Sequence, residues 1–322
     1  LVLCFIDKRT AIICGLSSHA RIFTAIVIDL ESPTFLNERW CSLRFSCVNI
    51  ITKFNSQEAA NVAQGLGEFL RSRGIEVLHT GALPKTVIGA KSSSPNEIKA
   101  DLIVVVGGDG TIMRTAQVVG ETPILGVKVG ALGFLCETTP ELAKDALEKV
   151  LAGKYYLEYK TKLTPRFDGL KLPDALNEVL ITTSKPSKIL SLMVKKDGVL
   201  LHHGKADGVI VSTPTGSTAY ALSAGGPIID PKLDVLEVVF ICPLSAGIRP
   251  MIFPVSSSLE ITVLPEGFEG IAVLDGQTTA ELEYDKPVTI KKSEKKAVFI
   301  RVNNSEFFYQ RIREKITCGF EA

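Results

Sequence analysis

The chain has seven cysteines, an odd number, and no two of them form a Cys-x-x-Cys pair. That argues against a disulfide framework of the secreted type and leaves structural zinc without its usual ligand spacing. Several cysteines sit in apolar runs, where the thiol acts as a small hydrophobe, so the usage suits a reducing, cytoplasmic setting. Histidine is scarce, and His202 and His203 are adjacent, so on a strand they point to opposite faces and make a poor metal pair. No apolar run approaches the ~18 uninterrupted residues that cross a bilayer. The early apolar stretch is broken by Asp7-Lys8-Arg9 and Arg21. Charge of one sign is also missing: a net +1 with 22% charged residues gives no global pull toward nucleic acid or an anionic membrane. There is no G-x-x-x-x-G-K-[ST] element, which excludes a Walker-type phosphate loop. No G-x-G-x-x-G surrounds Gly107, which argues against a hydride-transferring dehydrogenase.

The apolar run Leu102-Ile103-Val104-Val105-Val106 leads straight into Gly107-Gly108-Asp109-Gly110-Thr111. A strand that ends in a glycine turn brings backbone N–H groups close to an anion. Thr111 is placed to cap a helix beginning at Ile112. The aspartate repels phosphate, so its presence points to a metal to hold or a proton to remove.

A second segment runs Asp207-Gly208-Val209-Ile210-Val211-Ser212-Thr213-Pro214-Thr215-Gly216-Ser217-Thr218-Ala219-Tyr220, followed by Ala221-Leu222-Ser223-Ala224-Gly225-Gly226-Pro227. Five hydroxyls in seven residues exceed what capping needs and suit a ligand rich in oxygen, such as ribose and phosphate. A third element, Asn177-Glu178, opens the apolar stretch Val179-Leu180-Ile181. Its carboxylate offers two acceptors to vicinal hydroxyls.

Strand, helix, strand over 48–78, with Ser56 as N-cap and Gly74 as stop, argues a parallel α/β unit. A helix near 140–151 would place Pro140 at its first position. After Gly153 short β-branched runs dominate, with Asp197-Gly198 as a hairpin turn, and argue an antiparallel sandwich. Lys291-Lys292-Ser293-Glu294-Lys295-Lys296 reads as a solvated hairpin. Residues 1–46 are too apolar for a solvated tail, and 21–30 suggest a strand.

Together, GGDGT, the Asn-Glu pair and the DG…STPTGSTAY…SAGGP block resemble the NAD kinase family, from about Cys47 to near the C-terminus. The stretches 123–135 and Asp275-Gly276-Gln277 are similar to further family segments. Lys128, where the family pattern has Asn, and Leu244-Ser245-Ala246-Gly247-Ile248 before Arg249-Pro250 depart from it. The resemblance implies a Rossmann-like α/β domain followed by a β-sandwich-like domain, with a C-terminal segment returning to the first. The divisions would fall at 1–46, 47–153, 154–303 and 304–322. It also implies phosphorylation of the adenosine ribose 2′-hydroxyl of NAD, with ATP or polyphosphate as donor and Mg²⁺ or another divalent cation carried on substrate phosphates. Asp109 would be the base, with Gly107, Gly108, Gly110 and Thr111 cradling phosphate. Phe134, Asn177, Glu178, Asp207, Thr215, Thr218, Ala219, Tyr220 and Ser223 would hold NAD, Asp207 at the nicotinamide end and Phe134 on adenine. No residues are assigned as protein ligands to a metal. A homodimer or homotetramer would be the working form, with no nucleic-acid or membrane partner.

Two other readings stand beside this one. Another small-molecule or lipid kinase would share the glycine turn but have no use for the 207–226 block. A non-catalytic dinucleotide sensor would keep the hydroxyl-rich block while tolerating loss of Asp109.

Overall fold

The structure is a computed structural model. It describes residues 45–81, 98, 100–130, 133–303, 309–310 and 312–313, and the backbone alone of 2–5, 10–16, 23–29 and 86–87. The strands Val2–Phe5, Thr10–Leu16 and Phe23–Asp29 form an antiparallel sheet of their own, with the third where the sequence suggested a strand.

The α/β half is a six-stranded sheet in the order Glu76–Thr80, Cys47–Thr52, Leu102–Gly107, Ile124–Lys128, Ala297–Arg301, Tyr156–Lys160. Its first five strands are parallel and the last is antiparallel. Every residue of Leu102–Gly107 is buried, as a central parallel strand covered on both faces requires. Helix Gln57–Ser72 forms because Ser56 accepts the Ala59 N–H at 3.2 Å and small and branched residues recur on one side, burying Ala59, Ala63, Leu66 and Leu70. It stops at Gly74, whose φ of +75° lies in the left-handed region. Together with helix Ala143–Leu151 it covers one face of the sheet, and helix Asp109–Val118 covers the other.

Two helix starts differ from the sequence reading. Helix Asp109–Val118 begins two residues before Thr111, with Gly108 as N-cap and no side-chain cap. Pro140 precedes helix Ala143–Leu151 in a turn, because the helical hydrogen bonds begin only at Ala143.

The β-rich half is a sandwich of a six-stranded and a seven-stranded sheet. Val179, Ile181, Val209 and Val211 of one sheet pack against Leu192, Val194, Ile261 and Ile290 of the other. Asp197 and Gly198, at φ 50° and 81°, make the tight turn expected between Leu190–Lys196 and Val199–Ala206. The lysine-rich run 291–296 is not a hairpin. It joins Pro287–Lys292 of the sandwich to Ala297–Arg301 of the α/β sheet, so it is the crossover between the halves. Sheet membership therefore cuts across the division at 153/154 and 303: Tyr156–Lys160 and Ala297–Arg301 lie in the α/β sheet. The return to the first half is made by that strand. In the described part of the tail, the Tyr309 hydroxyl donates to the Asp230 carboxylate, in the β-rich half. No described helix is long and apolar enough to cross a membrane.

Candidate active site

The strand order reverses between Cys47–Thr52 and Leu102–Gly107, and the crevice beyond their carboxyl ends is where open α/β sheets hold ligands. Gly107 and Gly108 lie there, with the Cβ of Lys53, at the neighbouring strand end, 3.3 Å from the Cβ position of Gly107. None of Gly107, Gly108 and Gly110 has a positive φ, so left-handed turns are not why they are glycine. Gly107 is required by space, since a Cβ would come 2.7 Å from the Thr111 Oγ1. Around Gly108 the space is open, which leaves its backbone approachable from the crevice.

Asp109 is the first residue of its helix, and its carboxylate is already engaged. Oδ2 accepts the Phe134 N–H at 2.6 Å and Oδ1 accepts the Leu135 N–H at 3.1 Å. Gly133 makes this possible: a Cβ there would fall 2.0 Å from Oδ1. The carboxylate is thus oriented by backbone donors at its own helix N-terminus, with lone pairs left on both oxygens. The segment that supplies these donors is anchored in turn. Arg301 donates to the Leu135 carbonyl at 3.0 Å, to Glu137 at 3.1 Å and to Glu158 at 2.7 Å. Glu137 also accepts the N–H groups of Val302 and Asn303. Burial opposes the charge on Glu158, but Arg301 and then Lys160 outweigh it and bring its carboxyl down to about 2.

The second half of the site meets that helix from the sandwich. The Asn177 Nδ2 lies 3.0 Å from the Met113 Sδ, one turn beyond Asp109. Asn177 and Glu178 are buried, and Asn177 Oδ1 and Glu178 Oε2 have no hydrogen-bond partner among the described residues. Burial, then the nearby Asp275 charge, raises the Glu178 carboxyl to about 8. Asp275 accepts the N–H groups of Leu176, Asn177 and Glu178 at 2.8, 2.7 and 3.2 Å. Its burial outweighs these bonds, and its carboxyl is raised to about 6.

The hydroxyl-rich loop is used differently from the sequence reading. Three of its five hydroxyls are buried and bonded to backbone: Ser212 to the Asn177 carbonyl, Thr213 to the Leu176 carbonyl, and Ser217 to the Pro214 carbonyl and the Ile229 N–H. They build the loop onto the Asn177 segment, against which Gly216 also packs, its Cβ position 2.2 Å from the Asn177 carbonyl oxygen. Thr215, Thr218 and Ala219 are half-buried, and Tyr220 and Ser223 are exposed. Asp207, expected at the nicotinamide end of NAD, lies away from the Asn177-Glu178 pair. Glu178 pairs with Ser212 and Thr182 with Gly208, so Asp207 lies at the far end of that strand pair, more than roughly 13 Å along it. Phe134 is half-buried, and its backbone N–H is what reaches Asp109.

Sequence reasoning missed Arg114, Gln117, Asp275 as an N–H acceptor, Arg301 and Glu237. Glu237 lies across the sheet from Ser212, on the same face as Glu178, fully buried with neither carboxylate oxygen partnered among the described residues. Burial raises it to about 7.

A carboxylate on a glycine turn of an open α/β sheet, facing a second domain with unsatisfied acceptors for hydroxyls, defines a two-domain phosphotransferase. Comparison with known proteins narrows the class. The ATP-NAD kinase N-terminal domain matches residues 48–155 and the ATP-NAD kinase C-terminal domain matches 176–302. The NAD kinase of Methanothermobacter thermautotrophicus is 39% identical over 278 residues, 84% of this chain and 96% of that protein. That of Thermococcus kodakarensis is 38% identical over 277 residues, 84% and 99% respectively. Among solved structures, an Archaeoglobus fulgidus NAD kinase in complex with ATP is similar at a TM-score of 0.69 and 29% identity, covering 83% of this chain and 97% of that one. Yeast NADH kinase complexed with NADH shares the fold at a TM-score of 0.75 and 22% identity, over 97% and 94%. The chain belongs to the NAD kinase family.

Proposed function

We propose that the protein transfers the terminal phosphoryl group of ATP, or of polyphosphate, to the adenosine ribose 2′-hydroxyl of NAD, giving NADP. One observation carries this reading: a carboxylate fixed by backbone donors at the start of a helix, one turn from an Asn-Glu pair with unsatisfied acceptors. The hydroxyl oxygen forms the new P–O bond, the bridging P–O bond breaks to release ADP or shortened polyphosphate, and the hydroxyl proton passes to Asp109. Positioning and electrostatics supply most of the rate in such transfers. Asn177 and Glu178 orient the ribose, and the open backbone at Gly108, the helix N-terminus and Lys53 receive donor phosphate.

Among the described residues no three His, Cys, Asp or Glu side chains converge on a metal position. A Mg²⁺ would be carried on donor phosphates, as the family resemblance implies. Such an ion supplies neutralisation of donor charge. Incubation of the full chain with NAD, Mg²⁺ and either ATP or polyphosphate, scored for NADP, tests the reading. We expect NADP with at least one donor; none with either rejects it.

A further inference from the structure

The turn Asp275-Gly276-Gln277 joins strands Gly270–Leu274 and Thr278–Glu281, and it touches both halves of the site. Toward the sandwich, Asp275 gathers three successive N–H groups of the segment carrying Asn177 and Glu178. Its φ of 51° lies in the left-handed region, which Asp tolerates better than most side chains and which aims its carboxylate back at that segment. Toward the α/β half, Arg114 donates to the Gln277 Oε1 through both Nε and Nη2, at 3.0 and 2.7 Å. Gln117, one turn further along the same helix, donates to Asp275 at 3.4 Å and accepts from Thr278 at 3.3 Å. That helix begins with Asp109. One three-residue turn therefore holds the element bearing the base and the element bearing the ribose acceptors.

We propose that this turn is a latch that sets the spacing between Asp109 and the Asn177-Glu178 pair, with Gln277 as the positioning residue that clamps the Asp109 helix. The proposal rests on the kinase reading for its consequence in catalysis. The Gln277 Nε2 lies 3.9 Å from the Cβ position of Gly110, while its Oε1 is the atom that meets Arg114. That oxygen is spent on the Arg114 fork, where a planar donor pair meets a single acceptor and resists both rotation and sliding. In-line transfer is sensitive to such spacing, since a displacement of about 1 Å can cost on the order of 100-fold in rate.

The test compares the wild-type chain with Gln277→Leu and Gln277→Glu. Leu removes the acceptor, whereas Glu keeps an acceptor oxygen for Arg114. Expected for Leu is a kcat lowered about 10- to 100-fold, with KM for NAD and for the donor held within about threefold. Glu should restore kcat to within about threefold of wild type. Gln277 is half-buried, so the Leu variant has room to fold; Gln277→Asn, whose amide stops one methylene short of Arg114, serves if it does not. A second readout needs no substrate. Amide exchange at Asn177 and Glu178 should rise about tenfold in the Leu variant and stay unchanged in the Glu variant, as local opening predicts. Unchanged kcat and exchange in the Leu variant overturn the latch. So does a raised KM for NAD with unchanged kcat, or a Glu variant as impaired as Leu. A wild-type chain that makes no NADP defeats the kinase reading, while exchange still decides the latch.

Discussion

The two halves of the site treat charge in opposite ways. On the α/β side the Asp109 carboxylate receives backbone N–H groups on both oxygens, and the segment supplying them is tied by Arg301 and Glu137. On the sandwich side Asn177, Glu178 and Glu237 are buried with acceptor atoms that no described residue satisfies. Buried polar atoms left unpaired cost on the order of 1–3 kcal/mol each, so a protein retains them only where something compensates. The α/β half is finished before a ligand arrives. The sandwich half has open valences at Asn177 and Glu178 that ribose hydroxyls would close. Preorganisation is thus concentrated at the reacting centre, and adaptability at the acceptor substrate.

The largest effect should come from the finished half. Asp109→Asn removes the proton acceptor and sets an amide NH₂ against one of the two backbone N–H donors. We expect kcat to fall about 10²–10⁴-fold. We also expect a loss of stability of about 1–3 kcal/mol from the donor left unpaired. Turnover assays with thermal melts check both, and a stable variant with normal turnover breaks the comparison at its strongest point.

A smaller effect, and one that depends on pH, is expected from Glu178→Gln. Because burial and then Asp275 hold the Glu178 carboxyl at about 8, the free protein carries it uncharged at pH 7. An uncharged carboxyl and an amide each offer a donor and an acceptor, so near pH 6.5 the two proteins should bind NAD within about threefold of each other. Near pH 9 the wild-type group becomes a carboxylate that accepts from two ribose hydroxyls, and the gap should widen by roughly 1.5–3 kcal/mol. NAD titrations at both pH values measure this. An equal gap at both would mean that Glu178 is already ionised and the sandwich half is less open than its geometry indicates.

Glu237→Gln should do least. With its carboxyl raised to about 7 by burial, the folded chain holds a proton that the unfolded chain releases near pH 4.5. Its contribution to stability is present at low pH and is lost as pH rises through 7. The Gln variant lacks that loss, so its melting temperature relative to wild type should be a few degrees more favourable at pH 8 than at pH 5. A difference that does not change with pH would show Glu237 to be partnered and charged after all.

What the sequence made legible was local. Leu102 to Val106 followed by Gly107-Gly108-Asp109 is readable because the strand, its turn and its acid are contiguous. Ser56 and Gly74 bracket a helix by capping chemistry that spans only a few residues. The supports of the site were not legible, because their partners are distant. Asp275 reaches back 98 residues to the Asn177 N–H, and Arg301 reaches 166 residues to the Leu135 carbonyl. Hydroxyl density also misled. Ser212, Thr213 and Ser217 look like ligand contacts in sequence, yet their hydroxyls satisfy backbone groups of a buried loop. The run 291–296 has the charge of a hairpin tip, but nothing local records that the strands on its two sides belong to different sheets. The separation of Asp207 from Glu178 likewise follows from strand register, which composition does not encode.

The strand Ala297–Arg301 gives the chain an order of assembly. Strand Ile124–Lys128 has its permanent neighbour on one side only after the whole sandwich has been synthesised and residue 301 has emerged. Until then the nascent α/β half presents an open, apolar edge to whatever surrounds the ribosome, and the peptide that holds Asp109 lacks its Arg301 anchor. The joining of the two halves therefore waits for this strand, and a chain stalled in the lysine-rich crossover would carry a folded sandwich beside an unfinished catalytic sheet.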